Sequence, residues 1–118
     1  MTNTQFATLF SQAHEAGLAA VESLAVRPMV VADGDRTYYV ADGVCGFAWI
    51  TIKPGNSALA RAAVRMAGAS KRYGGGVQIW VSAFNQSHQR KEAYARAYAA
   101  TLRAVTGNDR IWAESRLD

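Results

Sequence analysis

Apolar residues recur at three- and four-residue intervals in three parts of the chain, and this spacing predicts three amphipathic helices. The first covers about residues 4–24, with Asn3 or Thr4 as its cap. The second begins at residue 56 or 57 and reaches about residue 69. The third runs from the capping Ser87 to about residue 105, and Gly107 is well placed to end it.

Runs of β-branched and aromatic residues between the helices predict strands. Two such runs flank Asp33-Gly34-Asp35, a strong hairpin signal, and a second turn at residues 41–43 leads into a strand over 44–52. Further strands are predicted at 77–82 and 110–113. The order α-β-β-β-α-β-α-β predicts one α+β domain over residues 1–118, with a mixed sheet packed by helices. Its β-α-β-α-β ending would allow parallel strand pairs.

The strand at 44–52 is apolar on both faces, so it is either covered on both sides or open to a partner on one. Trp49, Trp80 and Trp112 all fall in predicted strands. On a sheet with one open face they would form a platform for stacking bases. Beneath helices they would be core, and the apolar stripes of the helices favour the core.

Three consecutive glycines, Gly74 to Gly76, suggest a phosphate-binding loop at first sight. Such a loop runs strand, glycine-rich turn, helix, so that helix N–H groups face the anion. Here the predicted order is helix, glycines, strand. The glycines are therefore interpreted as the stop of the second helix.

The charge is distributed unevenly along the chain. The formal net charge is +4, and residues 53–110 hold ten basic residues against only Glu92 and Asp109 as acids. A basic half suggests an anionic partner, nucleic acid first among them, although many soluble domains carry a similar bias. Glu92 and Arg96 are spaced to form an ion pair on one helix.

The junction between the strand at 77–82 and the third helix combines amides and hydroxyls with two cations in the first helical turn. Cations at a helix N-terminus oppose the helix dipole unless something negative offsets them, so an anion site is one interpretation. Ordinary capping with a solvated first turn is the other. The predicted anion- or partner-binding residues are Arg61, Arg65, Lys71, Arg72, Ser82, Asn85, Gln86, Ser87, Arg90 and Lys91, with Arg103 as a further candidate.

No cofactor, metal or catalytic motif is present in the sequence. The single cysteine, Cys45, excludes an internal disulfide, and its apolar strand predicts a buried structural thiol. His14 is expected at the surface. A small enzyme or nucleotide-binding protein remains an alternative, using the 82–91 junction with Cys45, Tyr94 and Asp118 nearby. No apolar run is long enough to span a membrane, and no basic segment precedes an apolar one at the N-terminus.

Three segments resemble a family of small proteins encoded by tailed phages and prophages: "DGVCGFAWITIKPGNSALAR", "YGGGVQIWVSAFNQSHQRKEAYARAYA" and the terminal "SRLD". The resemblance implies expression in the host bacterial cytoplasm and a non-enzymatic accessory role, without assigning catalytic residues. The leading hypothesis is binding to nucleic acid or to a nucleic-acid-handling complex of host or phage. A third hypothesis is a homodimer that buries the Phe47 and Trp49 face.

Overall fold

The computed structural model describes residues 1–25, 29–34, 36–40 and 43–118, with the strands between 29 and 40 described by their backbone. Its elements in chain order are α1 Asn3–Glu22, β1 Met29–Asp33, β2 Arg36–Val40, β3 Gly46–Ile52, α2 Ala58–Met66, β4 Ser70–Lys71, β5 Val77–Trp80, α3 His88–Thr106 and β6 Ile111–Leu117. The predicted α+β class is confirmed. No helix in the described part of the chain is both long and apolar enough to cross a membrane.

The helix ends follow local capping chemistry. Thr2 caps α1, because its hydroxyl accepts from the Gln5 amide at 3.1 Å while the Gln5 side chain accepts from the Thr2 amide at 2.7 Å. The cap thus precedes the predicted Asn3 or Thr4, since only Thr2 has a glutamine three residues later. The predicted cap of α3 at Ser87 is confirmed, as is its stop at Gly107, which has a left-handed φ of 70°.

The predicted hairpin is confirmed as the antiparallel pair β1–β2, in which Met29 lies opposite Val40 and Asp33 opposite Arg36. Gly34 supplies a positive φ of 59° in its turn, a conformation that costs glycine little. Asp35 and the second turn predicted at Ala41–Asp42 lie outside the described residues.

The main sheet has the strand order β4-β5-β3-β6, and each of its ladders is antiparallel. This corrects the predicted mixed sheet: strands joined by a helix are separated by an intervening strand instead of pairing. β4 was not predicted, because it is only two residues long and charged. From β3 to β6 the chain therefore follows a split β-α-β-β-α-β arrangement, with β3 and β5 at the centre.

The three consecutive glycines form the turn between β4 and β5, which corrects their interpretation as a helix stop. Gly74, Gly75 and Gly76 have φ values of 95°, 103° and 78°. A Cβ on Gly76 would lie 2.6 Å from the carbonyl oxygen of Ile52, so this turn packs directly on the end of β3. The stop of α2 comes earlier, where Gly68 adopts a φ of 72° just after the C-cap.

The helices cover one face of the sheet. On that face Ala48, Ile50 and Ile52 of β3 are fully buried, together with Leu102 of α3 and Leu9 of α1. α3 packs on β3 and β6, α1 packs on α3, and α2 packs on β5. The alternate residues of the strands, which include all three tryptophans, lie on the opposite face. The prediction that helices would bury the tryptophans is therefore wrong.

Candidate nucleic-acid interface

The face of the sheet opposite the helices carries a row of aromatic side chains. The β3–β5 and β3–β6 registers place Trp49 opposite Trp80 on one side and opposite Glu114 on the other. By the two-residue alternation of strands, the same face carries four aromatic side chains and the polar groups among them. We call this surface the aromatic face; its rings are Phe47, Trp49, Trp80 and Trp112.

The central rings contact one another. The centroids of Trp49 and Trp80 are 4.7 Å apart with an interplanar angle of 33°, and Phe47 meets Trp80 edge-on at 6.1 Å. Cross-strand aromatic pairs of this kind stabilise a sheet by about 0.2–1 kcal/mol each. Trp80 is nevertheless 41% exposed, which is unusual for the largest apolar side chain. Its ring is thus held in place on one side and accessible on the other.

Glu114 lies in the middle of the aromatic face and accepts hydrogen bonds from three residues, two on β3 and one just after β4. Trp49 donates its indole N–H at 2.6 Å, Thr51 donates its hydroxyl at 2.5 Å, and Arg72 donates from two nitrogens at 2.8 and 3.0 Å. The Arg72 guanidinium is the main cause that lowers the pKa of Glu114 from 4.5 to about 2, with Thr51, Trp49 and Trp112 adding to it against the opposing effect of burial. The same carboxylate raises the pKa of Arg72. This network fixes the Trp49 indole and neutralises the carboxylate.

Further cations lie against the aromatic rings. The Arg116 guanidinium is 5.2 Å from the Phe47 centroid, and the Lys53 ammonium is 5.6 Å from that of Trp112. The Lys91 ammonium is 5.5 Å from the Phe47 ring, although Lys91 is only 5% exposed and donates to the carbonyl oxygen of Gly46 at 3.4 Å. Because Glu114 is already paired with Arg72, the accessible charge beside the rings is positive.

The predicted 82–91 junction is used largely for structure. Ser87 is 1% exposed and caps α3, and the Gln86 carbonyl accepts from the Gly46 amide at 2.9 Å. Lys91 is buried as described. Ser82, Asn85 and Gln86 are exposed, and Arg90 is half-buried. The hypothesis that they bind an anion stays a prediction.

The predicted basic residues outside the junction are divided between surfaces. Arg61 and Arg65 are exposed on α2, where Arg65 donates to the Asn3 side chain of α1 at 2.9 Å. Lys71 is exposed on β4, whereas Arg72 turns to Glu114. Arg103 donates to the carbonyl oxygen of Ile111 at 2.7 Å. Of these residues, only Arg72 contributes to the aromatic face.

Three residues of the aromatic face had not been considered for a site on this face: Lys53, Glu114 and Arg116. The available signal was the alternation in "RIWAESR", which places Trp112, Glu114 and Arg116 on one face of β6. The prediction ended this strand at residue 113, and its last two functional side chains were therefore missed.

Cys45 is exposed, which corrects the prediction of a buried thiol. It precedes β3 and pairs only through an isolated bridge with Ser87, while its carbonyl accepts from the Asp118 amide at 3.1 Å. The apolar run 44–52 looks continuous in sequence, yet its first two residues lie outside the covered part of the strand. The predicted Glu92–Arg96 pair is confirmed at 3.1 Å. Within the described residues, no three of His, Cys, Asp and Glu are grouped as metal ligands.

Comparisons of the chain with protein-family models, with curated proteins and with solved structures found no match. The function proposed below is therefore argued from the geometry and charge of the described residues.

Proposed function

We propose that this protein binds single-stranded nucleic acid on the aromatic face, as a non-enzymatic accessory protein in the phage setting that the family resemblance implies. The observation that carries the proposal is the accessible Trp80 ring on a central strand, held against Trp49 and Phe47, together with cations over the Phe47 and Trp112 rings of the same face. Stacking of a base on an aromatic side chain contributes about 1–3 kcal/mol. A ring already held in position loses little conformational entropy when a base stacks on it.

The charge beside the rings supports a polyanionic ligand. Arg116 is exposed at one end of the aromatic face, and Lys53 is half-buried at the other. Phosphates that follow bases across the sheet would pass these cations. Binding that releases counterions in this way weakens with salt, with a slope of about −0.7 per phosphate contacted on a single strand.

The shape of the site favours a single strand over a duplex. The aromatic face presents ring surfaces, and only unstacked bases can lie flat on them. A duplex would instead present phosphates and base edges in its grooves, and the described residues of the aromatic face offer flat ring surfaces that do not enter a groove. RNA-recognition modules likewise stack bases on aromatic side chains of a four-stranded sheet, and this analogy of architecture supports the proposal.

The test is a fluorescence anisotropy titration with labelled single-stranded oligonucleotides of about 12 nucleotides, a length within the usual site size. DNA and RNA homopolymers and a duplex of equal length are compared at several salt concentrations. Trp80→Ala should weaken single-strand binding about tenfold or more, because it removes the accessible stacking surface. Tyr73→Ala is the matched control, since Tyr73 is a fully exposed aromatic residue in the β4–β5 turn.

Two results would contradict the proposal. One is wild-type protein that shows no salt-dependent preference for single strands. The other is equal affinity of the Trp80→Ala and Tyr73→Ala variants. If light scattering showed a dimer that Trp80→Ala dissociates, the aromatic face would be a self-association surface instead, as the homodimer hypothesis predicts.

A further inference from the structure

A cleft of about 530 Å³ lies on the helix side of the sheet, where α1, α3 and the segment after β5 meet. Its volume falls within the range of small-molecule sites. Most of its wall is apolar, with several aromatic rings and a few polar groups. The residues on which the argument depends are Phe10, His14, Trp80, Phe84, Tyr94 and Tyr98.

Tyr98 supplies the most specific feature of this cleft. The residue is 5% exposed, yet its hydroxyl makes no hydrogen bond to any residue that the structure describes. In the described part of the chain, every fully buried side-chain polar atom has a hydrogen-bond partner. Since the Tyr98 hydroxyl has none, it retains some contact with solvent. Tyr98 is one of the residues that line the cleft. A buried tyrosine normally finds a partner for its hydroxyl, so a ligand would complete this one.

A second polar group is held in place on the same wall. The Tyr94 hydroxyl lies 2.6 Å from Nδ1 of His14, and the pKa of Tyr94 is raised by burial. The Tyr94 ring can approach α1 only because residue 17 is glycine: a Cβ there would lie 2.5 Å from the ring. A glycine inside a helix costs about 1 kcal/mol relative to alanine, so the chain accepts an instability that positions Tyr94.

Phe84 forms part of the cleft wall from a strained backbone. Its φ is 68°, a left-handed value that bulky residues rarely adopt, and its ring lies 5.6 Å from that of Tyr94. Backbone strain of this kind is concentrated at functional sites. The strained turn thus places an aromatic ring where a planar ligand would stack.

The chemistry of the wall selects an uncharged ligand. None of the described residues that line the cleft is lysine, arginine, aspartate or glutamate. The antiparallel register adds a backbone donor and a backbone acceptor at the rim of the cleft. The Val81 amide donates to the carbonyl oxygen of Ala48 on β3, so the amide and carbonyl of the preceding residue, Trp80, point away from β3. They have no partner among the described strands on that side, because the short β4 ends before it reaches Trp80.

We propose that this cleft binds an uncharged aromatic heterocycle of about nucleoside size, which stacks on Phe84 and Tyr94 and hydrogen-bonds to the Tyr98 hydroxyl. The heterocycle is either a free nucleoside or a base of a bound strand, and the chemistry of the site is the same for both. The assignment does not depend on strand binding by the aromatic face: Trp80 borders both surfaces, but the proposed ligand contacts are Phe84, Tyr94 and Tyr98.

The test is a titration of the 118-residue chain with adenosine, guanosine, cytidine and uridine, in which binding is monitored by ligand-detected NMR. At least one nucleoside should bind. Tyr98→Phe should weaken that binding about three- to tenfold, since it removes one hydrogen bond and leaves the ring in place. Tyr73→Phe, the same change at a fully exposed position, should leave it unaltered. Ala83→Trp, at an exposed position of the cleft wall, should abolish binding by filling the cleft.

The same titration distinguishes the two sources of the ligand. If a single-stranded oligonucleotide displaces the bound nucleoside, a base of the strand enters the cleft; if both bind together, the free nucleoside is the ligand. The proposal is overturned if no nucleoside binds at concentrations up to about 5 mM, which is well above the dissociation constant expected of even a weak specific site. Equal binding by the Tyr98→Phe and Tyr73→Phe variants would overturn it as well.

Discussion

Acidification should destabilise this protein through Glu114, and replacement of Glu114 by glutamine should remove that part of the pH dependence. The carboxylate has a pKa lowered from 4.5 to about 2 in the folded protein, chiefly by Arg72. A group whose folded pKa is depressed stabilises the fold above its unfolded pKa. Its contribution is therefore complete at neutral pH and is lost progressively between about pH 5 and pH 2.

The magnitude follows from the size of the shift. A decrease from 4.5 to about 2 would correspond to about 3 kcal/mol at 1.36 kcal/mol per unit. The Glu114 side chain is 25% exposed, and solvent screening reduces the contribution of such a pair. We therefore expect about 1–2 kcal/mol.

The assay is urea denaturation followed by circular dichroism at pH 7, 5, 4 and 3, with linear extrapolation to water. The wild-type free energy of unfolding should fall with pH more steeply than that of Glu114→Gln, by about 1–2 kcal/mol over this range. Glu22→Gln is the control, because Glu22 is exposed near the C-terminus of α1 and should leave the wild-type slope unchanged. If the slopes of wild type and Glu114→Gln coincide, the ion pair at the centre of the aromatic face contributes nothing to folding and the reasoning fails.

Three further changes test individual contacts, each by denaturant unfolding. Gly17→Ala should destabilise the protein by about 1–2 kcal/mol despite the better helix propensity of alanine, because its Cβ would meet the Tyr94 ring at 2.5 Å; a gain in stability would contradict this packing. Gly76→Ala should lower the free energy of unfolding by at least about 2 kcal/mol, and Gly68→Ala by about 1 kcal/mol. Both glycines have a positive φ, but only at Gly76 would the added Cβ also meet a backbone atom. Equal losses at the two positions would refute this close approach. Thr2→Ala should cost about 1 kcal/mol through loss of the capping box, and an unchanged midpoint would show that the cap is not formed.

The open face of the sheet follows from the strand order, which the pattern of apolar and polar residues does not reveal. β3–α2–β4 and β5–α3–β6 each connect parallel strands across one intervening strand. Crossovers of this kind are right-handed. Because the first strands of the two units, β3 and β5, are antiparallel neighbours, right-handed crossovers place α2 and α3 on the same face of the sheet. The apolar stripes of the helices were recognised correctly, but an apolar stripe does not say which face of a strand it covers. Because β3 is apolar on both faces, alternation could not decide between Ile50 and Trp49 as the core residue.

The basic half of the chain was recognised from composition, yet composition could not rank its members. Arg72 and Arg103 look alike in sequence, but one pairs with Glu114 and the other with the carbonyl oxygen of Ile111. Each of these contacts joins residues from separate elements, and the β4 residues that carry Arg72 to the sheet edge were not predicted as a strand. The pairing of β6 with β3 is what makes the charge bias a specific surface, because it brings the exposed Arg116 over the Phe47 ring. The proposed function therefore depends on a long-range register, and a change that shifts β6 by one residue would move Trp112, Glu114 and Arg116 to the helix side together.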